Sequence, residues 1–283
     1  KSGKKDKTNE NDKQPKKDEK DEKYEINESD EKHLRTHFPE IKEAFYSKCV
    51  IMVEGETEYG CLNSFATKLE IILDDYGICL LNARGQKSIK PIRLLLQKFN
   101  IPSIAIYDSD YDEDSLFGVS YDKSCANNLK NKKEKNKIDG NEFYTEKRCF
   151  EFDIVDSLVE ENKLSVIKDI SKSVIKDISI NKYKHFDEVI IDEALFSKYD
   201  KDKKIIIINN IKKLEYYNKK LSEVPISDKV NFRMLYSVWF ENNKGFILGR
   251  IIGDIITKDC IPDCYKNAII GAKSLVIEKE KIE

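Results

Sequence analysis

Cys49-Val50-Ile51-Met52-Val53 runs directly into Glu54-Gly55-Glu56-Thr57-Glu58. Five consecutive apolar residues bounded by charge fit a strand covered on both faces, as strands of parallel sheets are. Beyond it, Tyr59, Leu62, Phe65, Ala66 and Leu69 recur at helical spacing and predict a helix over 56–69. A second apolar run, Gly77-Ile78-Cys79-Leu80-Leu81, ends at Asn82-Ala83-Arg84-Gly85, and Ile92, Leu95, Leu96 and Phe99 mark a helix over 89–99. Pro102 to Tyr107 reads as a third strand that stops at Asp108-Ser109-Asp110. Strand, helix, strand, helix, strand with short links predicts an α/β fold with a parallel sheet. In such sheets function collects at the carboxyl ends of the strands, where Glu54 and Asp108 lie.

Around this centre the chain is uneven. It has 283 residues, with 50 Lys or Arg against 52 Asp or Glu, so net charge is −2 and nucleic-acid binding has to come from local patches. Residues 1–32 carry 10 Lys and 11 Asp or Glu and almost nothing apolar, which predicts a disordered tail or linker, or else an interaction tail. The polar, Lys-rich stretch 119–142 (Lys123, Lys130, Lys132, Lys133, Lys135, Lys137) reads as a mobile loop able to contact phosphate. Phe143-Tyr144-Thr145 and Cys149 to Asp153 read as a fourth strand and its exit. The near-repeat over 165–180 reads as a surface helix, and 205–283 as mostly helical, with one helix over Phe240 to Ile256. Three regions are therefore expected: 1–32, a core over 33–160, and a helical extension over 161–283.

No stretch approaches 18 uncharged apolar residues, which excludes a helical membrane span. Seven scattered cysteines without a visible export leader are expected to be reduced thiols in a cytoplasmic protein. Cys260 and Cys264 lack a second Cys/His pair for zinc. His33, His37 and His185 suggest no site. Trp239 reads as core, and Tyr216 and Tyr217 as ordinary helix positions.

The chemistry-bearing residues form three pieces. Glu58 lies one helical turn beyond Glu54, so the two acids can approach one point, with Gly55 permitting the tight turn between them. Asp108 and Asp110 alternate on an extended segment and can present both carboxylates together. Clusters of carboxylate oxygens suit Mg²⁺ or Mn²⁺. The turn Asn82 to Ser88 precedes a helix, and Gly85 and Lys87 there are candidates for receiving phosphate.

In this order the pieces resemble the Toprim domain of topoisomerases, primases and certain nucleases. More closely, Phe45 to Glu58, with Val53-Glu54-Gly55-Glu56-Thr57-Glu58 at its end, resembles the Toprim entry of the overcoming-lysogenization-defect (OLD) family, which includes Gabija-type antiphage nucleases. Tyr144 to Asp153 is similar to that family's acidic Phe-Glu-x-Asp segment, and Asn243 to Gly249 to its Lys-Gly helix. The resemblance implies a Toprim-type parallel sheet flanked by helices with a helical C-terminal extension. It also implies a metal-dependent DNA endonuclease or nickase working in antiphage defence. Glu54, Glu58, Asp108 and Asp110 would hold one or two metals, with Glu151 and Asp153 as weaker candidates, and Lys244 would stabilise charge on the scissile phosphate.

OLD proteins carry an ABC-type ATPase ahead of the Toprim half, and no Gly-x-x-x-x-Gly-Lys-Ser/Thr loop occurs in this sequence. With Lys as first residue, the expectation is an ATPase half elsewhere, a possible helicase-like partner, and a homo-oligomer. The alternative is a catalytically silent module that docks nucleic acid or a partner. Retained, mutually repelling carboxylates weigh against it.

Overall fold

A computed structural model describes residues 28–36, 38–110, 117, 126–177 and 185–281. Four parallel strands form one sheet: β1 (Cys49–Val53), β2 (Ile78–Asn82), β3 (Ser103–Tyr107) and β4 (Glu142–Tyr144), in the order β2-β1-β3-β4. Helix α1 (Glu28–Thr36) and α2 (Phe38–Ala44) precede β1, α3 (Glu56–Lys68) links β1 to β2, and α4 (Gln86–Lys98) links β2 to β3. The chain thus steps to one side of β1 for β2 and crosses back to the other side for β3. That reversal opens a crevice between the carboxyl ends of β1 and β3, the usual place for a ligand in an open α/β sheet.

Strand residues divide by parity, as the pleat requires. Cys49, Ile51 and Val53 of β1 join Ile104 and Ile106 of β3 in the larger core, with Leu62 and Phe65 of α3. Val50 and Met52 join Ala105 and Tyr107 in a second core, under Ile41 of α2 and Ile89, Ile92 and Leu96 of α4. Each of the buried Val, Ile, Leu, Met and Phe side chains among them contributes roughly 1.5–3 kcal/mol.

The remaining helices are α5 (Ala126–Asn136), α6 (Phe150–Glu160), α7 (Leu164–Asp177), α8 (Lys201–Lys213), α9 (Lys229–Asn242), α10 (Phe246–Ile255) and α11 (Asp263–Glu280). Helix α11 returns to the sheet and packs on β1, β3 and β4 with Ala268, Ile269 and Ala272 in the larger core. Helix α10 lies in backbone contact with α3. A Cβ on Gly249 would fall 1.9 Å from the Thr57 carbonyl oxygen, and one on Gly60 would fall 2.6 Å from that of Phe246. Glycines at this crossing allow an approach no larger residue permits.

Several expectations are corrected. Residues 28–32 are helical, held by the Glu31–Arg35 pair four residues apart (2.6 Å) and by packing of α1 on α4, whereas 1–27 lie outside the described residues. Part of the expected loop 119–142 is helix α5, because Lys, Leu and Glu are good helix formers, Asn136 is buried and Lys133 lies over the Tyr144 ring. Its portion 119–125 lies outside the described residues. Residues 143–144 lie in β4 as expected, and 150–153, expected as a strand edge or the exit from that strand, open helix α6, since Phe150, Ile154 and Leu158 share a buried stripe. Helix α7 buries Leu164, Ile167, Ile170 and Val174 and is no mere surface helix, and 178–180 lie outside the description. The single helix expected over 240–256 breaks at Asn243–Gly245, where Gly245 adopts φ 146°. Trp239 is core, as expected, while Tyr216 and Tyr217 sit in the turn after α8, with Tyr216 donating to Asp228 (2.6 Å).

Candidate active site

Where β1 ends, Glu54 and Gly55 carry the chain into α3. Gly55 has extended backbone (φ −138°, ψ 176°), so its smallness serves space rather than turn geometry. A Cβ there would stand 2.9 Å from Oε2 of Glu58, and its absence lets that buried carboxylate fold back toward the strand end. Glu54 reaches sideways to β3, where its Oε1 accepts from the Asp108 backbone N–H (3.0 Å). The second turn is fastened to the first: Gly85 N–H donates to the Glu54 carbonyl (2.7 Å) and Ala83 N–H to that of Val53 (2.9 Å). Gly85 sits at φ 121°, a conformation that favours glycine, and Lys87 on the first turn of α4 is exposed. The Gly85 N–H is thus engaged within the protein and is not offered to a phosphate.

Beyond β3, the chain is sewn to the turn after β4. Ser109 N–H donates to Thr145 Oγ1 (2.8 Å), Ser109 Oγ–H to the Lys147 carbonyl (2.5 Å), and Asp110 N–H to the Arg148 carbonyl (2.9 Å). Asp110 is left-handed (φ 55°), so the simple alternation expected of an extended segment ends there. Its carboxylate is half in solvent and pairs with Lys132 of α5 (2.6 Å), whose ammonium also donates to the Asp108 carbonyl. The Asp108 carboxylate accepts from Phe150 N–H at the start of α6 (3.2 Å).

That helix start delivers Glu151, 1% exposed, into the same place. Glu151 Oε2 accepts from the Cys149 thiol (3.2 Å) and pairs with Lys244 (3.1 Å). Lys244 is presented by the break between α9 and α10, which is pinned to α3 where Gly245 N–H donates to Thr57 Oγ1 (3.0 Å). Asp153 faces elsewhere: it accepts from the N–H groups of Glu146 (3.0 Å) and Lys147 (2.6 Å), bracing the turn that carries Cys149 and Glu151.

Glu54, Gly55, Glu56, Thr57, Glu58, Asp108, Lys244 and Gly245 line one cleft of about 350 Å³ at the carboxyl edge of the sheet. Its electrostatics are those of acids crowded in a dry place. Burial, reinforced by the Asp108 charge, pushes Glu54 up to about 8. Burial, with Glu151 and Asp110 adding to it against the pull of Lys244, brings Asp108 to about 7. Glu58 is raised well above the usual carboxylate range by burial and by Asp108 and Glu151. Burial also lifts Asp153, to about 8, against the two backbone donors it accepts from. Burial opposes the charge on Lys244, but Cys149, Glu151 and Asp108 outweigh it and its pKa rises. Lys244 is therefore an ammonium at neutral pH, while Glu54, Glu58 and Asp108 hold protons more readily than ordinary carboxylates.

Residues 45–110 match the family of Toprim domains described as overcoming lysogenization defect protein-like. This stretch is similar to an OLD-like Toprim domain. Among solved structures, the chain is similar to the C-terminal region of the Burkholderia pseudomallei OLD protein, at 18% identity and a TM-score of 0.48, over 82% of this chain and 99% of that one. It is also similar to the C-terminal region of the Xanthomonas campestris pv. campestris OLD protein, at 17% identity and a TM-score of 0.44, over 84% and 98%. No curated protein matches it in sequence.

The cleft fits a divalent cation in its donor chemistry, since its acids offer only hard oxygens whose repulsion a cation would relieve. Among the described residues no three carboxylate, imidazole or thiol side chains enclose a point as ligands do, and the ammonium groups of Lys132 and Lys244 lie against the acids instead. The six described cysteines are free thiols, and Cys125, His37 and the His33 side chain lie outside the description. No described helix is long and apolar enough to cross a membrane. Sequence reasoning missed Lys132, Cys149 and Thr57 as parts of this site. Only Thr57 had a local signal, a hydroxyl in the first turn of a helix beside two acids.

Proposed function

We propose that the Toprim cleft hydrolyses phosphodiester bonds of DNA, as an endonuclease or nickase dependent on Mg²⁺ or Mn²⁺. The observation that carries this reading is the convergence of Glu54, Glu58 and Asp108 with Lys244 on one cleft, the three acids raised in pKa by burial and by neighbouring charge, with Glu151 buried against Lys244. Glu54, Glu58 and Asp108 would hold the cation, with Asp110 and Glu151 at its margins. A divalent cation supplies a water of lowered pKa and neutralises charge on the phosphoryl oxygens. The protein's own groups do the rest. Lys244, held by Glu151, offers a fixed positive charge to a scissile phosphate, an interaction that strengthens as negative charge develops. Glu54, pushed up to about 8 by burial, is suited to holding a proton from the attacking water. Lys87, exposed at the start of α4, would meet the backbone of a DNA strand.

An ATPase half outside these residues, a helicase-like partner, a homo-oligomer and an antiphage role belong to the same proposal. The test is cleavage of supercoiled plasmid with Mg²⁺ or Mn²⁺, beside EDTA and an Asp108→Ala control. Metal-dependent nicking lost in the variant supports the reading. Persistent cleavage in the variant rejects the site, and no cleavage even with an OLD-type ATPase supplied favours the silent module.

A further inference from the structure

We propose that Lys132 is a tethered counter-cation of the acidic cluster, an ammonium that occupies ground a divalent cation needs and is displaced when that cation binds. This rests on the cation-binding reading of the cleft given above. The ammonium makes the contacts a hard metal ion would make: the Asp108 carbonyl oxygen and the Asp110 carboxylate, 2.6 Å away, both oxygen donors on the turn after β3. It is not a surface lysine that happens to lie close, because its side chain is only 13% exposed. Helix α5 delivers it, and α5 is fastened to the sheet and to α4. Lys133 lies over the Tyr144 ring at 5.3 Å, Asn136 is buried, and Lys90 of α4 donates to the Lys135 carbonyl (2.7 Å).

The charge of Lys132 is felt at Glu54, whose raised pKa it partly restrains. Lys132 and Lys244 thus divide the cluster between them, one at the Glu54–Asp110 end and one at the Glu58–Glu151 end. They differ in how firmly they are held. Lys244 pairs with a fully buried acid, whereas the Asp110 carboxylate is 59% exposed. A pair with one partner in solvent is worth little, so an incoming divalent charge can replace it. Lys132 then sets the cation concentration at which the site fills.

Two measurements test this without DNA. In the first, free Mn²⁺ is counted by electron paramagnetic resonance in titrations of the intact chain, Lys132→Met and Lys133→Met. Removing a nearby positive charge is expected to tighten Mn²⁺ binding by about fivefold in Lys132→Met alone. Unchanged or weaker binding in that variant, or no Mn²⁺ binding by any of the three, overturns the proposal. In the second, the wild-type chain is labelled with acetic anhydride and read by peptide mass spectrometry, which needs no variant to fold. Lys132 acetylation is expected to rise several-fold when Mn²⁺ is added, and an unchanged rate overturns the proposal. Tighter Mn²⁺ binding and greater labelling in a chain that cuts no DNA would leave this inference standing while the nuclease reading falls.

Discussion

The two ends of the sheet carry buried charge in opposite ways. At the amino ends of β3 and β4, Arg93 of α4 is 1% exposed and every contact it makes is matched. Its guanidinium donates to the Ser103 carbonyl (3.0 Å), Ser103 Oγ (3.2 Å) and Asp139 (2.6 Å), and pairs with Glu142. Glu142 in turn accepts from the N–H groups of Ile138 (3.0 Å) and Gly140 (3.1 Å), and Asp139 from that of Asn141 (3.1 Å). At the carboxyl ends, Glu58, Asp108 and Glu151 crowd round Lys244 with Glu54 beside Asp108, and Glu54, Glu58 and Asp108 are driven far up in pKa. One cluster is complete and fixes β4 to the sheet. The other is left in need of positive charge, which is how a site differs from a staple.

The sharpest way to break this comparison is to remove an acid from each end. Asp108→Ala is expected to lower the rate of plasmid cleavage by about a thousandfold or more. Its melting temperature should stay level or rise, because a repelling charge has gone. Cleavage within tenfold of wild type would place the chemistry elsewhere. Arg93→Met should do the reverse. It strands two acids beside β4, and breaking a buried pair typically costs about 3–5 kcal/mol in urea unfolding. A cost below about 1 kcal/mol would mean the amino-end cluster is not the staple described.

A smaller effect is expected at the joint that carries Lys244. Gly249→Ala forces a methyl against the Thr57 carbonyl, and overpacking of this kind costs about 1–3 kcal/mol. Because α10 must move off α3, the Gly245–Thr57 bond should also break, so cleavage should fall by more than stability alone explains. Activity that tracks only the folded fraction would show that α10 merely packs there.

The parts of this arrangement legible in the sequence are those written in local pattern. Val50 to Val53 could only be a covered strand, and a carboxylate placed just after such a strand had to lie at the sheet's carboxyl edge. Position 151 was harder. Phe150-Glu151-Phe152-Asp153 alternates like a strand, yet the 3.6-residue stripe of Phe150, Ile154 and Leu158 wins and makes α6. Lys132 could not be read at all. Its neighbours are Lys and Asn, and nothing local tells which ammonium of a polar helix will turn inward. That is settled by contacts across 22 residues of chain, to Asp110. Arg93 is the same case, since its partners lie 46 and 49 residues away.

The finest test of the unbalanced end is its dependence on pH. Glu54 titrates at about 8 and Asp108 at about 7 in the folded chain, against ordinary values of 4.5 and 3.8. The folded state therefore binds more protons than the unfolded chain between about pH 4 and 8. Stability contributed by these groups is present below pH 4 and falls as pH rises through that window. Glu54→Gln keeps an oxygen to accept from Asp108 N–H but has no charge to lose. It should match wild type near pH 4 and exceed it by about 1 kcal/mol at pH 8.5, read by urea denaturation at both values. Since the amino-end acids have their donors already, Glu142→Gln should show no such gain at high pH and should be the less stable chain throughout. If Glu54→Gln and wild type stay parallel from pH 4 to 8.5, the carboxyl-end cluster is as well compensated as the Arg93 cluster, and the contrast between the two ends disappears.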